Sequence, residues 1–187
     1  MDRGTFYIVS GPSGAGKGTL VSFVMANLEN VGLSVSATTR SPRFSETDGV
    51  SYHFLSDEQF DDLVERGCFV EWANVHGKRY GTLRSEVDRN LAEGRDIILE
   101  IDVQGAMQVR EAYPEAVLIF IEPPSMAELV HRLLVRGTDS EESIRSRLAT
   151  ANEELNSKDS YDIVITNDDL ETAQKQILDE MRKRRVV

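Results

Sequence analysis

The chain has 187 residues, 40% of them hydrophobic and 28% charged, the usage of one folded domain with room for an insertion; a disordered or fibrous chain is excluded. Its 21 Lys and Arg against 32 Asp and Glu give a net charge of -11, which excludes a general electrostatic surface for nucleic acid or an anionic membrane. Any polyanion must be held locally, and one stretch is suited to it: between Arg3 and Arg43 the cations Arg3, Lys17, Arg40 and Arg43 face Glu29 alone.

The first predicted elements are a buried strand at Phe6-Tyr7-Ile8-Val9, a glycine loop, and a helix over Lys17 to Asn30 with Leu20, Val21, Val24 and Leu28 at helical spacing. Leu33 to Thr38 reads as a second strand, followed by the basic turn Thr39-Arg40-Ser41-Pro42-Arg43 and a polar loop to Val50. Residues 51–95 change character. Ser51 to Phe54 is a short strand, Ser56 and Gln59 have capping-box spacing for a helix through Arg66, and Phe69 to Ala73 is another short strand. A turn at His76 to Gly81 and a helix from Leu83 to Glu93 complete what reads as a small antiparallel insertion.

Alternation of strand and helix resumes with a strand from Ile97 to Asp102, a helix from Val103 to Ala112 and a strand from Val117 to Ile121. Ser125 and Glu128 form a second capping box for a helix reaching Arg136; a polar stretch to Ser143 precedes a helix ending near Asn156. The strand Ile163-Val164-Ile165 leads to a terminal helix capped by Asp168 or Asp169, with Leu170, Ala173, Ile177 and Met181 on one face. Buried strands separated by helices imply an α/β fold, a parallel sheet covered on both faces.

Cys68, the one cysteine, forms no internal disulfide and reads as a small buried hydrophobe within Gly67-Cys68-Phe69-Val70. With no apolar run of membrane-spanning length and no signal-peptide core in MDRGTFYIVSGPSG, a reducing, cytoplasmic setting is expected. His53, His76 and His131 lack metal-ligand spacing and an evident acid partner, and no chemistry is assigned to them.

The chemistry starts at Gly11-Pro12-Ser13-Gly14-Ala15-Gly16-Lys17, which fits G-x-x-x-x-G-K between an apolar strand and a helix. Such glycines let backbone N–H groups curl around phosphate oxygens at a helix N-terminus, and Lys17 would reach the β and γ phosphates of a nucleoside triphosphate. The residue after the lysine is Gly18, not Ser or Thr, so Thr19 is the nearer hydroxyl for Mg²⁺. Glu100 and Asp102 end an apolar strand and, two apart, would face one side, available to Mg²⁺ through water; capping of the next helix is the competing role for Asp102.

Further stretches stand in order behind this loop: Ser36 to Arg43, Asp48 to Tyr52, Phe69 to Ala73, Tyr80-Gly81-Thr82, Ile101 to Gly105, and Arg136-Gly137-Thr138 with Glu141 to Ile144 and Arg147-Leu148. Together they resemble guanylate kinase nearly end to end. The resemblance implies transfer of the ATP γ-phosphoryl group to GMP, and to dGMP as a second acceptor. It also implies a parallel-sheet phosphate-loop core (1–34, 96–125 and 160–187), a mixed antiparallel GMP-binding region (35–95) and a helical lid region (126–159).

Carried over by position, Gly11, Pro12, Ser13, Gly14, Ala15, Gly16, Lys17, Gly18 and Thr19 with Arg132 and Arg136 would bind ATP, and Lys17, Arg40, Arg136 and Arg147 would be catalytic. Arg40 and Arg43, with Tyr52 and Tyr80, would hold the acceptor phosphate, which forked guanidiniums match well. Glu71, joined by Ser36, Thr82 and Asp102, would read the two adjacent donors on guanine's pairing edge; pattern alone makes Glu71 a solvent-facing strand residue. The expected partners are thus ATP and GMP with Mg²⁺, without nucleic acid or membrane, and a homo-oligomer is left open. Two other readings stand beside this one: a guanylate-kinase-like module that binds protein without catalysis, and a kinase for another phosphorylated acceptor.

Overall fold

The computed structural model describes residues 3–75, 77–135 and 141–185, and for 141–143 the backbone alone. In chain order the elements are β1 (Phe6–Ser10), α1 (Lys17–Asn27), β2 (Val31–Leu33), β3 (Ala37–Thr38), β4 (His53–Phe54), α2 (Asp57–Glu65), β5 (Phe69–Val75) and β6 (Lys78–Leu83). There follow α3 (Arg84–Ala92), β7 (Asp96–Glu100), α4 (Val103–Ala112), β8 (Val117–Glu122), α5 (Met126–Val135), α6 (Glu141–Leu155), β9 (Ile163–Thr166) and α7 (Leu170–Arg184). They form a five-stranded parallel sheet in the order β2-β7-β1-β8-β9 and a four-stranded sheet in the order β4-β3-β6-β5. By contacts the chain divides into two compact units, one of Met1–Phe6, Val31–Leu99 and Gln104–Ala116, the other of Tyr7–Asn30, Glu100–Val103 and Val117–Val187.

The second unit contains β1 from Tyr7 onward, β8 and β9. Every residue of β1 is buried, as are Leu118 to Ile121 of β8, which is what a strand covered on both faces requires and why these segments read as continuous apolar runs. At the sheet edge β9 alternates instead, Ile163 and Ile165 inward and Val164 outward. Asp169 caps α7 by accepting from the Thr172 N–H at 2.9 Å, and Ala173, Ile177 and Met181 are buried while Leu170, one turn earlier, is exposed. Leu129 and Leu133 of α5 pack with Ala151 of α6 in a separate small core.

In the first unit the expected strand from Leu33 to Thr38 is two strands. Val31–Leu33 pairs with β7 in the larger sheet, whereas Ala37–Thr38 pairs with β4 and β6 in the smaller. A strand cannot serve two sheets along one ladder, and the chain passes between them at Ser34-Val35-Ser36. Likewise, the expected turn from His76 to Gly81 is largely strand β6, since cross-strand pairing with β5 runs from Val75↔Lys78 to Phe69↔Leu83; Gly77, at φ 74°, keeps a turn conformation, and His76 lies outside the described residues. Parallel β3–β4 and antiparallel β3–β6 and β5–β6 make this the mixed sheet expected of the insertion. Helix α2 carries the full capping box, the Ser56 hydroxyl accepting from the Gln59 N–H and the Gln59 side chain from the Ser56 N–H. It covers the sheet through Phe60, stacked on Phe69 at 4.5 Å between centroids. Cys68 is half-buried rather than buried. Among the described residues no helix is long and apolar enough to cross a membrane.

Candidate functional site

Within the second unit, the loop between β1 and α1 needs its glycines for two separate reasons. A side chain at Gly11 would place Cβ 2.1 Å from the Ile121 carbonyl oxygen, and one at Gly16 would place it 2.3 Å from Asn167 Nδ2. Both also have left-handed backbone, φ 134° and 96°, which glycine adopts without a Cβ penalty. Gly16 starts α1 without a side-chain cap, and the first turn holds no acid, an electrostatic setting open to an anion. Lys17 is folded over this loop, its Nζ donating to the Gly11 and Pro12 carbonyls at 2.6 and 3.1 Å.

Asn167, which sequence reasoning passed over, ties this loop down. It is 5% exposed; its Nδ2 donates to the Ala15 carbonyl at 2.8 Å and its own carbonyl accepts from Arg132 Nη2 at 2.9 Å. Arg132 is further fixed by Glu128, one turn back, at 2.8 Å. The only sequence signal was the polar run Asn167-Asp168-Asp169 after the last strand, which reads as a helix cap. Around these groups lies a recess of about 440 Å³, lined by Gly14, Gly16, Thr19, His131, Arg132 and Asn167 among others. Arg147 is half-buried on α6, while Arg136 lies outside the described residues.

The strand β7 ends at Glu100, so Asp102 is not on the same strand face; it lies just ahead of α4. Loss of water raises the pKa of the Glu100 carboxyl, and the Lys17 ammonium offsets part of that. Glu154 of α6, also missed from sequence, is pushed up to about 7 by burial, against the pull of Lys17 and with the push of Asp102. The Tyr161 hydroxyl, raised to about 12 mainly by burial, completes this polar cluster next to the buried Ser10. For a metal, the relevant donor is Glu100, whose oxygens come within 3.5 and 3.8 Å of where a Cβ on Gly18 would stand. Among the described residues no three His, Cys, Asp or Glu side chains are grouped to cage an ion. One or two carboxylates beside a phosphate site suit a hard cation such as Mg²⁺, which keeps most of its ligands as water and phosphate oxygen.

In the first unit, the small sheet gathers the predicted acceptor residues. Arg40 donates through both terminal nitrogens to Glu46, at 2.8 and 2.9 Å, and its guanidinium lies 5.3 Å from the Tyr52 ring centroid. The Glu46 bond chiefly raises the Arg40 pKa, and the Tyr80 hydroxyl adds to the rise; in turn Arg40 and the Arg43 N–H hold the Glu46 carboxyl down at about 2. Tyr52 and Tyr80 meet edge to face at 6.0 Å. Arg43 is exposed. Arg40, Tyr52 and Tyr80, three of the four predicted phosphate contacts, are therefore grouped together.

Glu71 departs from its pattern reading. It is 6% exposed, and the Thr82 hydroxyl, from the facing residue of β6, donates to it at 2.7 Å. Phe69, Val70 and Glu71 are buried in succession beside a register irregularity between Phe69 and Glu71, so burial here does not follow the simple alternation that reads Glu71 as solvent-facing. Gly81, which faces Trp72, leaves no space for a side chain: a Cβ there would come within 2.8 to 3.0 Å of Phe69, Trp72 and the Glu71 carbonyl. Ser36 enters β3 from the same sheet, its carbonyl accepting from the His53 N–H at 2.9 Å, whereas Asp102 belongs to the second unit.

Residues 3–184 match the family model described as guanylate kinase. Similar curated proteins include the guanylate kinase of Caldanaerobacter subterraneus subsp. tengcongensis, 49% identical over 94% of this chain and 85% of its own length. That of Synechococcus sp. is 49% identical over 94% of each chain. Among solved structures, guanylate kinase from Anaplasma phagocytophilum superposes with a TM-score of 0.77 at 33% identity, covering 100% of this chain and 88% of that one. A buried carboxylate paired with a threonine in one sheet, a phosphate loop on the other, and similarity running from end to end leave one assignment: the chain belongs to the guanylate kinase family.

Proposed function

We propose that the protein transfers the γ-phosphoryl group of ATP to GMP, and to dGMP, giving ADP and GDP or dGDP, with Mg²⁺ as the metal. The bond between the β-bridging oxygen and the γ phosphorus of ATP breaks, and one forms from a GMP phosphate oxygen to that phosphorus. The attacking oxygen is already ionised, so alignment and charge neutralisation carry the rate rather than a general base. The observation that carries the reading is the buried Glu71–Thr82 pair in the same small sheet as the Arg40–Tyr52–Tyr80 group.

In this reading Glu71 accepts from guanine N1–H and the 2-amino group, with Ser36, Thr82 and Asp102 as further base contacts, and Arg40, Arg43, Tyr52 and Tyr80 hold the acceptor phosphate. A half-buried Arg40 exchanging Glu46 for phosphate loses little desolvation energy, because it is already partly dehydrated. Lys17 swings from the Gly11 and Pro12 carbonyls to the β and γ phosphates. The recess beside Arg132 and Asn167 takes the donor nucleotide. Mg²⁺ would be held by Glu100 through water, with Thr19 and Asp102 as further polar neighbours, and when bound it supplies charge for the β and γ oxygens. Arg136 and Arg147 add positive charge as the region 126–159 closes as a lid over the core of 1–34, 96–125 and 160–187, the region 35–95 holding the acceptor.

A coupled assay with ATP and Mg²⁺ and each of GMP, dGMP, AMP, CMP and UMP tests this: ADP forms with GMP and dGMP and at background with the rest. ADP formation independent of GMP, or equal with AMP, overturns it. A protein-binding module without catalysis has no use for a loop in which Gly11, Gly16 and Lys17 are all retained.

A further inference from the structure

The segment that carries Ser36 into the acceptor sheet is held from two sides, by groups that the reaction itself does not use. On one side the Val35 N–H donates to Glu86 Oε1 of α3 at 3.0 Å. On the other the Ser36 carbonyl accepts from the His53 N–H at 2.9 Å. The two holds meet, because the other oxygen of Glu86 lies 3.4 Å from His53 Nε2. Glu86 sits in the first turn of α3, directly behind β6, the strand that supplies Thr82. Its side chain is only 12% exposed, and Oε2 has no hydrogen bond despite being buried. A carboxylate kept so nearly dry, with one oxygen bonded by Val35 and the other facing only the His53 ring, costs desolvation. What the fold gains is a fixed height for the Val35–Ser36 backbone, reinforced by the α3 N-terminus, whose dipole favours the negative charge.

We infer that Glu86 is a positioning residue for acceptor recognition: it sets the Ser36 backbone against the base-reading edge of the small sheet through Val35, and aligns β4 beside it through His53. The inference rests on the reading of Ser36 as a base contact. From sequence His53 has no evident acid partner; the fold supplies Glu86, from a distant part of the chain.

The test is steady-state kinetics and thermal unfolding of E86A, E86Q and S36A. E86A raises KM for GMP about tenfold while kcat at saturating GMP and KM for ATP stay within about twofold of wild type, the loss of one hydrogen bond made to a charged group. E86Q keeps a carbonyl acceptor for Val35 and an amide facing His53, and restores KM for GMP to within about twofold. Should E86A fail to fold, E86D, which withdraws the carboxylate by one methylene, carries the same expectation of a raised KM for GMP. A normal KM for GMP in E86A or E86D, or an equal rise in KM for both substrates, overturns the inference. S36A separates the two levels: a raised KM for GMP there with a normal one in E86A removes Glu86 alone. A normal KM for GMP in S36A removes Ser36 from the acceptor site.

Discussion

The phosphate loop and the acceptor sheet hold their shape by opposite means. The loop is backbone: close approaches of Gly11 to Ile121 and of Gly16 to Asn167 dictate glycine, and a single buried amide clamps the turn from behind. The acceptor sheet is side chain: Arg40 is bound by Glu46, Glu71 by Thr82 and Arg79 by Asp57 and Asp61 of α2, each a charged or polar pair placed by a different strand, loop or helix. A triphosphate is the same in every nucleotide, so a fixed backbone cradle serves it. Telling one base from another requires donors and acceptors in a pattern, which only side chains supply.

The largest effect is expected at Lys17. K17A should lower kcat about a thousandfold, as loss of a donor to developing charge does, with GMP binding by calorimetry unaffected. A parallel loss of GMP affinity would mean that the two sites are not separately built. Next in size is E71Q, for which kcat/KM with GMP should fall about a hundredfold while KM for ATP holds, because an amide nitrogen now faces the guanine donors. Unchanged preference among GMP, AMP and CMP would sink Glu71 as the reader of the base.

E46Q should act more mildly. It removes the charge that ties residues 41–50 to Arg40 and the Arg43 N–H, so KM for GMP should rise about threefold and become more dependent on salt. The pH signature has a definite sign. Glu46 is lowered from 4.5 to about 2, so its contribution to stability is present above the ordinary carboxyl value and is lost as pH falls from there through about 2. Melting temperatures of wild type and E46Q should therefore converge toward pH 2; curves that stay parallel would show that the pair does not order the loop.

The smallest effect belongs to the loop's own surroundings. Glu154 is raised from 4.5 to about 7, so its favourable contribution is complete below 4.5 and disappears as pH rises through 7, where the charged form must be kept in a poorly hydrated place. E154Q should match wild type near pH 4 and melt about 3 °C higher at pH 8. Equal melting temperatures at both values would place Glu154 in contact with water.

Much of this was legible from residue order. The glycine loop, the buried strands β1, β7 and β8 and the caps at Ser56 and Asp169 follow from local rules, since each depends on neighbours within about four residues. Reading failed where a contact spans the chain. The split of Leu33–Thr38 between two sheets, the strand at Lys78–Leu83, Asn167 on the loop 152 residues away and Glu154 beside Lys17 leave no periodic trace.

The charge of -11 with a basic island at Arg3–Arg43 already implied a locally held polyanion, and the residues of the phosphate loop named its kind, because backbone geometry and glycine are coupled position by position. Which carboxylate lies inside was a different matter. Pattern alone puts Glu71 in solvent; in the fold it is buried and takes a hydrogen bond from Thr82, the residue that faces it across the sheet. Burial of a charge depends on strand pairing and on what faces it across the sheet, and those exist only once the chain is folded.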